Sequence, residues 1–348
     1  MKLGQAFDPR HNALNLWRLI LATGVIFWHS FPLTGNTIDF QPAVRLLSEV
    51  WVDGFFTVSG FLITAGWMRR PHLGEYWRAR FLRIFPGLWV CVAVTAFVIA
   101  PIAAAVKHSS LPLSAEFAYV VNNGLLNVFY AGINGTPKDI PWPGVWNGSL
   151  WTLVFELLCY IAVCVLGLLG LLKRQWVLPT LFVASAVWSA YVSYPTMAQQ
   201  TIPQMLARFA VVFLAGALIH QYRDAIPARW SLVALCGVIV VASGFAQNYR
   251  LIAALPLAYA IIVSGALVRR FPLRNDISYG MYIYAFPVQQ LLATLGLVSL
   301  HPTVFFLVAA LCTIPLAAAS WFVVEKRAMA LKHPKRQQVA VGTSSHLK

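Results

Sequence analysis

Residues 15–32 read NLWRLILATGVIFWHSFP. The stretch is apolar enough and long enough to span a bilayer as a helix. It nevertheless carries two ionisable side chains, Arg18 and His29, eleven residues apart. At about 100° per residue, eleven steps make close to three turns, so both side chains share one face. At a rise of about 1.5 Å per residue they lie about 16 Å apart along the axis. A guanidinium sits near one membrane surface and an imidazole lies more than halfway across. Ionisable groups inside a span are costly and face a cavity or a partner. The plainer alternative is an arginine snorkelling to the interface and a satisfied buried histidine.

Outward from this stretch, the chain repeats the same kind of apolar run. Of its 348 residues 59% are hydrophobic and 11% are charged, with a mean hydropathy of +0.70. A soluble globular protein carries about 25% charged residues, so this is an integral membrane protein. Runs of 18 or more apolar residues argue for helices and against barrel strands. The pattern predicts an all-α bundle of about ten transmembrane helices, near 14–33, 46–68, 84–106, 149–172, 176–194, 203–221, 230–247, 251–268, 277–298 and 303–324. Residues 1–331 form the membrane domain, and 332–348 are a basic tail expected to be disordered. Ala115 to Tyr130 is a candidate amphipathic interfacial helix. The first run is no cleavable signal, because Arg18 lies within it and no small-residue cleavage site follows.

The formal charge is +15. In a soluble protein that would suggest nucleic acid; here Lys and Arg gather in alternate loops, so it reads as positive-inside bias and no nucleic-acid partner is expected. With ten spans, the side opposite the termini carries only Arg45, Lys107, Lys138 and Arg250, which places both termini in the cytoplasm. Arg208 falls within a span and has no evident partner. Cys91, Cys159, Cys164, Cys236 and Cys312 all lie in apolar runs without a Cys-x-x-Cys spacing. They read as small core side chains, and no metal is expected.

Four further stretches carry chemistry. Residues 69–83, RRPHLGEYWRARFLR, hold five arginines. Arg80 and Arg83 share a face if this loop leads helically into the next span, and guanidinium groups suit phosphate. With Arg18 at the same depth they form a cationic patch; plain positive-inside charge is the alternative. In WVDGFFTVSGFLIT (51–64), Asp53 either orients an imidazole or caps its helix, and Ser59-Gly60 permits close helix packing. In NGSLWTLVFELLCY (147–160), Glu156 is a carboxylate at a depth comparable to His29. His29, Asp53 and Glu156 together make a candidate general base with carboxylate support. In ISYGMYIYAFPV (277–288), Tyr279 and Tyr282 share a face and Pro287 kinks the helix. Their hydroxyls suit a sugar or a thioester carbonyl, or they are interfacial anchors.

These pieces, in this order, resemble the acyltransferase 3 family of membrane acyltransferases. The resemblance rests on Arg18 and His29 separated by ten residues, and on Asp53 followed by Phe55, Phe56, Ser59, Gly60 and Phe61. It continues through Arg80, Arg83, Ile84 and Pro86, then Ser149, Leu150, Trp151, Leu153 and Glu156, then Ser278, Tyr279 and Tyr282. It covers nearly the whole chain. One departure matters: many members have a histidine three residues after the second Tyr, and here that position is Ala285. No second histidine acts from this helix. No extra soluble hydrolase-like domain is expected either.

The resemblance implies transfer of an acyl group, usually acetyl from acetyl-CoA, to a hydroxyl of a cell-surface or lipid-linked carbohydrate or glycolipid. It implies a multi-pass protein of the inner (plasma) membrane, with lipid around it. On that reading Arg18, Arg80 and Arg83 hold acyl-CoA and His29 is the general base, supported by Glu156 and Asp53. Trp151, Tyr279 and Tyr282 line the substrate site. By composition alone, apart from the resemblance, Trp142 and Trp146 of the outer loop 107–147 are candidate stacking faces for sugar rings. Two other classes stay open. A proton-coupled carrier or flippase of a sugar or lipid-linked sugar also suits a bundle with a midplane His and Glu. An inactive binder of lipid-linked sugars or of a polymerase would not need His29.

Overall fold

The computed structural model describes residues 1–127, 129–192, 201–268, 273 and 275–332. It is all-helical; among the described residues the only β pairings are two isolated bridges. Labels here cover the longer helices. They are α1 (Leu14–Leu33), α2 (Val50–Arg69), α3 (Leu73–Val94), α4 (Leu113–Gly124), α5 (Trp151–Leu168), α6 (Val177–Tyr191), α7 (Ile202–Gln221), α8 (Trp230–Ser243), α9 (Arg250–Leu267), α10 (Ser278–Thr294) and α11 (Pro302–Ala319). α3 runs on through a π turn to Val106, and α11 runs on through another to Ala330. Seven of these stretches are long and apolar enough to cross a membrane. α6 and α8 are apolar but shorter.

α10 is the exception that shows where the core lies. All of its residues except Leu291 are buried, although they include three tyrosines and two glutamines. At 17 residues and with this polarity it is not among the seven long apolar stretches, yet it packs against α1, α3 and α11 at the centre of the bundle. The Tyr279 and Tyr282 hydroxyls and the Gln289 and Gln290 amide N–H groups bond within the protein, while the two glutamine Oε1 atoms have no partner among the described residues. Pro287 lacks an N–H, so the Ile283 carbonyl one turn earlier loses its helical partner. Asn147 Nδ2 donates to that carbonyl at 2.8 Å, and Cys91 Sγ lies 3.3 Å from it.

α2 and α7 touch backbone to backbone. A Cβ at Gly60 would lie 2.0 Å from the Phe213 carbonyl oxygen, and one at Gly216 would lie 2.0 Å from that of Thr57. Reciprocal glycines of this kind let two spans approach where lipid provides no hydrophobic drive.

The start of α3 differs from the sequence reading. His72 accepts the Glu75 backbone N–H at 3.3 Å and caps the helix, which therefore begins at Leu73 rather than near 84. The basic stretch is helical from Leu73 onward, so Arg80 and Arg83 do share a face. The interfacial segment is also shorter than expected, ending as a helix at Gly124. Arg250 is no loop residue; it opens α9 and is 2% exposed. Of the expected tail only Lys332 lies inside the described residues, and Arg269, Arg270 and Arg274 lie outside them.

Candidate active site

Where α1, α3, α5 and α10 meet, a cavity of about 310 Å³ is lined by Arg18, Arg80, Arg83, Glu156, Tyr160 and Asp276, among others. Its charges are ordered. Arg18 donates to Asp276, and Arg83 Nη2 donates to the same carboxylate at 2.7 Å. Arg83 also lies 3.8 Å from Glu325 at the end of α11. Asp276 is held in turn by the Ser278 hydroxyl and by the Ser278 backbone N–H at 3.2 Å. Burial alone would raise the Asp276 carboxyl, but Arg18 and Arg83 outweigh it and hold it well below the usual carboxylate range. The Arg83 guanidinium also stands 5.7 Å from the centre of the Tyr279 ring, whose hydroxyl donates to the Ile84 carbonyl at 2.9 Å.

Arg80 is treated differently. It lies 5.6 Å from the rings of both Tyr76 and Tyr160. No carboxylate among the described residues pairs with it, and its buried Nε has no hydrogen-bond partner there. Glu156 accepts from the Tyr160 hydroxyl and lies 3.4 Å from Ser59 Oγ.

A smaller cavity of about 50 Å³ shares Arg18, Ser59, Glu156 and Tyr279 with the first and continues to Phe55, Thr152 and Tyr282. The Tyr282 hydroxyl is 2.6 Å from Thr152 Oγ1 and 3.0 Å from the Ser149 carbonyl. Phe286, one turn beyond Tyr282 on α10, packs edge-on against the His29 ring at 5.1 Å. Trp142 completes this aromatic corner at 6.2 Å from His29. Gln290 fixes the corner, donating to the Trp142 and Val145 carbonyls at 2.8 and 2.6 Å.

The structure brings Arg18, Arg80, Arg83, Glu156, Tyr279 and Tyr282 together, and separately His29 with Trp142. It does not bring Asp53 to His29. Asp53 is fully buried and accepts from Arg208 Nε at 3.2 Å, Arg250 Nε at 2.6 Å and the Tyr249 hydroxyl. Glu49 adds a second carboxylate, 3.6 Å from Arg208 and bonded to Arg250. Arg208 thereby gains the partners that the sequence did not suggest. Trp151 flanks this cluster, with Arg208 5.9 Å from its ring. Trp146 has no face free for a sugar: it is fully buried and its Nε1 donates to Thr136 Oγ1 at 3.0 Å.

Asp276, Glu325, Tyr160 and Gln290 escaped the sequence reading. The one signal for Asp276 was an acid placed just before a span, with two unpaired arginines elsewhere at the same depth.

A family model described as an acyltransferase domain matches residues 11–322. The chain is 28% identical over 344 residues to an O-acetyl transferase of Shigella phage Sf6, covering 94% of this chain and 98% of that protein. It is 27% identical over 360 residues to nodulation protein 10 of Rhizobium leguminosarum bv. viciae, covering 92% and 94% respectively. No solved structure matches it. With a match across nearly its whole length, this multi-pass membrane protein belongs to the acyltransferase 3 family and is an acyltransferase.

Proposed function

We propose that the chain moves an acyl group, acetyl in the simplest case, from cytoplasmic acyl-CoA to a carbohydrate hydroxyl presented near the opposite membrane face. The observation that carries this reading is the arginine-lined chamber at one end of α1, with His29 on the same helix face about 16 Å deeper. That separation suits the long, thin pantetheine arm of CoA. The name of the phage relative supports an acetyl donor and a hydroxyl acceptor.

On this reading Arg18, Arg80 and Arg83 neutralise the donor's phosphates. Glu156 and Tyr282 line the path of the arm. A ring nitrogen of His29 takes the acceptor's hydroxyl proton as that oxygen attacks the thioester carbonyl. The C–O bond forms, the C–S bond breaks, and the proton passes from the imidazolium to the departing thiolate. Trp142, beside His29, offers its ring to the sugar. Asp53 serves the fold rather than the chemistry. The topology that fits has ten spans, adding α6, α8 and α10 to the seven long stretches, with both termini in the cytoplasm of a cell bounded by this plasma membrane.

Acetyl-CoA binding to the detergent-purified chain, read by calorimetry, tests the proposal. Wild type binds, and Arg83→Gln weakens binding about tenfold to a hundredfold, the worth of a charge-assisted hydrogen bond. A folded wild-type protein that binds no acyl-CoA sinks the reading. The same assay carries a pH signature. Burial first, and then Arg83, Arg80 and Arg18, lower the Lys332 ammonium to about 8. Lys332 lines the same chamber. As pH rises through about 8 the chamber loses a positive charge, so affinity for the anionic donor falls between about pH 7 and 9. Lys332→Gln weakens binding at pH 7 and removes that inflection.

A further inference from the structure

A second basic cavity, of about 370 Å³, opens beside the first. Arg10, Arg69 and Arg80 line it, with Phe7, Leu14 and Leu62 as an apolar wall. Arg80, Asn15 and Leu62 line both cavities, so the two share a wall.

Their charge balance differs. In the first cavity Arg18 and Arg83 face Asp276, with Glu325 behind. Among the described residues no acid lines the second. Asp8, near Arg10 in sequence, is committed to the His11 ring and to the Arg10 backbone N–H, both within 2.9 Å. Arg80, at the shared wall, has aromatic neighbours but no carboxylate. Its guanidinium lies close over α2, where a Cβ on Gly66 would come within 3.3 Å of Nη2.

Nor is Arg10 on a free end of the chain. The segment bearing it is pinned on both sides: the Leu3 N–H donates to the Ile226 carbonyl and the Ala13 N–H to the Gly265 carbonyl, each at 2.8 Å. Positive-inside bias explains why arginines collect at this end. It does not explain three of them converging on one concave, acid-free, partly apolar cavity. Arg10 and Arg69 reach the cavity from exposed positions and Arg80 from a half-buried one, so an anion seated there meets three guanidinium groups.

We infer that this second cavity seats the 3′-phosphorylated adenosine of the donor. Arg10, Arg69 and Arg80 take the ribose phosphate monoester, and Phe7, Leu14 and Leu62 take the base. The first cavity takes the diphosphate and the thioester arm, and Arg80 serves both. This rests on the acyl-CoA reading above. It adds a selectivity that reading lacks: thioesters without the 3′-phosphate, including those borne on a carrier protein's phosphopantetheine, are poor donors.

The test compares acetyl-CoA with acetyl-dephospho-CoA, which differs only in that phosphate, on the full-length chain in detergent. Wild type binds acetyl-CoA about tenfold or more tightly than the dephospho form. In Arg10→Gln/Arg69→Gln that preference disappears, and both ligands bind as the dephospho form binds to wild type. The unchanged dephospho affinity certifies that the variant is folded. Equal affinities in wild type overturn the inference while leaving the acyl-CoA donor standing. Equal weakening of both ligands in the variant overturns it too, because the two arginines then act as general surface charge, for example toward lipid headgroups. Wild type that binds neither ligand brings down the donor reading itself.

Discussion

His29→Ala loses acyl transfer by about 10²- to 10⁴-fold, the usual contribution of a positioned general base, and keeps its affinity for acetyl-CoA. The geometry dictates this split. His29 lies beyond the cavities that hold the arginines and lines neither of them. Its neighbours are Phe286 and Trp142, so removing the imidazole leaves the arginine-lined end untouched. On the proposed mechanism the loss falls on the step in which a sugar hydroxyl, a weak nucleophile, must give up its proton. A nucleophile that needs no base therefore separates chemistry from collapse. Hydroxylamine supplied in place of the carbohydrate accepts the acetyl group from His29→Ala at a rate close to that of wild type. His29→Gln keeps much of the ring's volume and still fails with carbohydrate. Transfer above about a tenth of wild type in either variant, or donor binding lost along with activity, assigns the base to another residue.

Much of this organisation was legible in the sequence, because a bilayer imposes length and hydropathy on each span. α1 runs from Leu14 to Leu33 and α7 from Ile202 to Gln221, within a residue of the apolar runs that predict them. The arginines of α3 were legible as a pair by their spacing of three. What faces them was not. Asp276 lies 258 residues from Arg18 and 193 from Arg83 in the chain, and only the packing of α10 against α1 and α3 brings the three together. The same limit applies to depth. Asp53 and Glu156 were grouped with His29 because all three are polar groups within spans, and depth says nothing about the face a side chain takes. Trp142 and Trp146 illustrate it on a loop: four residues apart, one stands by His29 and the other is sealed beneath Thr136.

Asp53→Asn destabilises the protein by about 3–5 kcal/mol, the cost of breaking a buried ion cluster on one side. The cluster is neutral as it stands, with Glu49 and Asp53 against Arg208 and Arg250. Asp53, Arg208 and Arg250 are 0, 0 and 2% exposed, so water cannot take over for a lost partner. Asparagine fits the space but leaves one positive charge in excess and turns an amide N–H₂ toward donors that need an acceptor. Of the three helices joined there, α2, α7 and α9, the first two also meet backbone to backbone at Gly60 and Gly216. Thermal unfolding in detergent should therefore fall by about 2–4 °C per kcal/mol lost. Removing the opposing charge as well, in Asp53→Asn/Arg208→Gln, recovers part of the loss, because the coupling between the two sites is electrostatic. A catalytic carboxylate behaves otherwise: Asp53→Asn would then unfold with wild type, bind acetyl-CoA and transfer nothing, and no substitution at Arg208 would restore it.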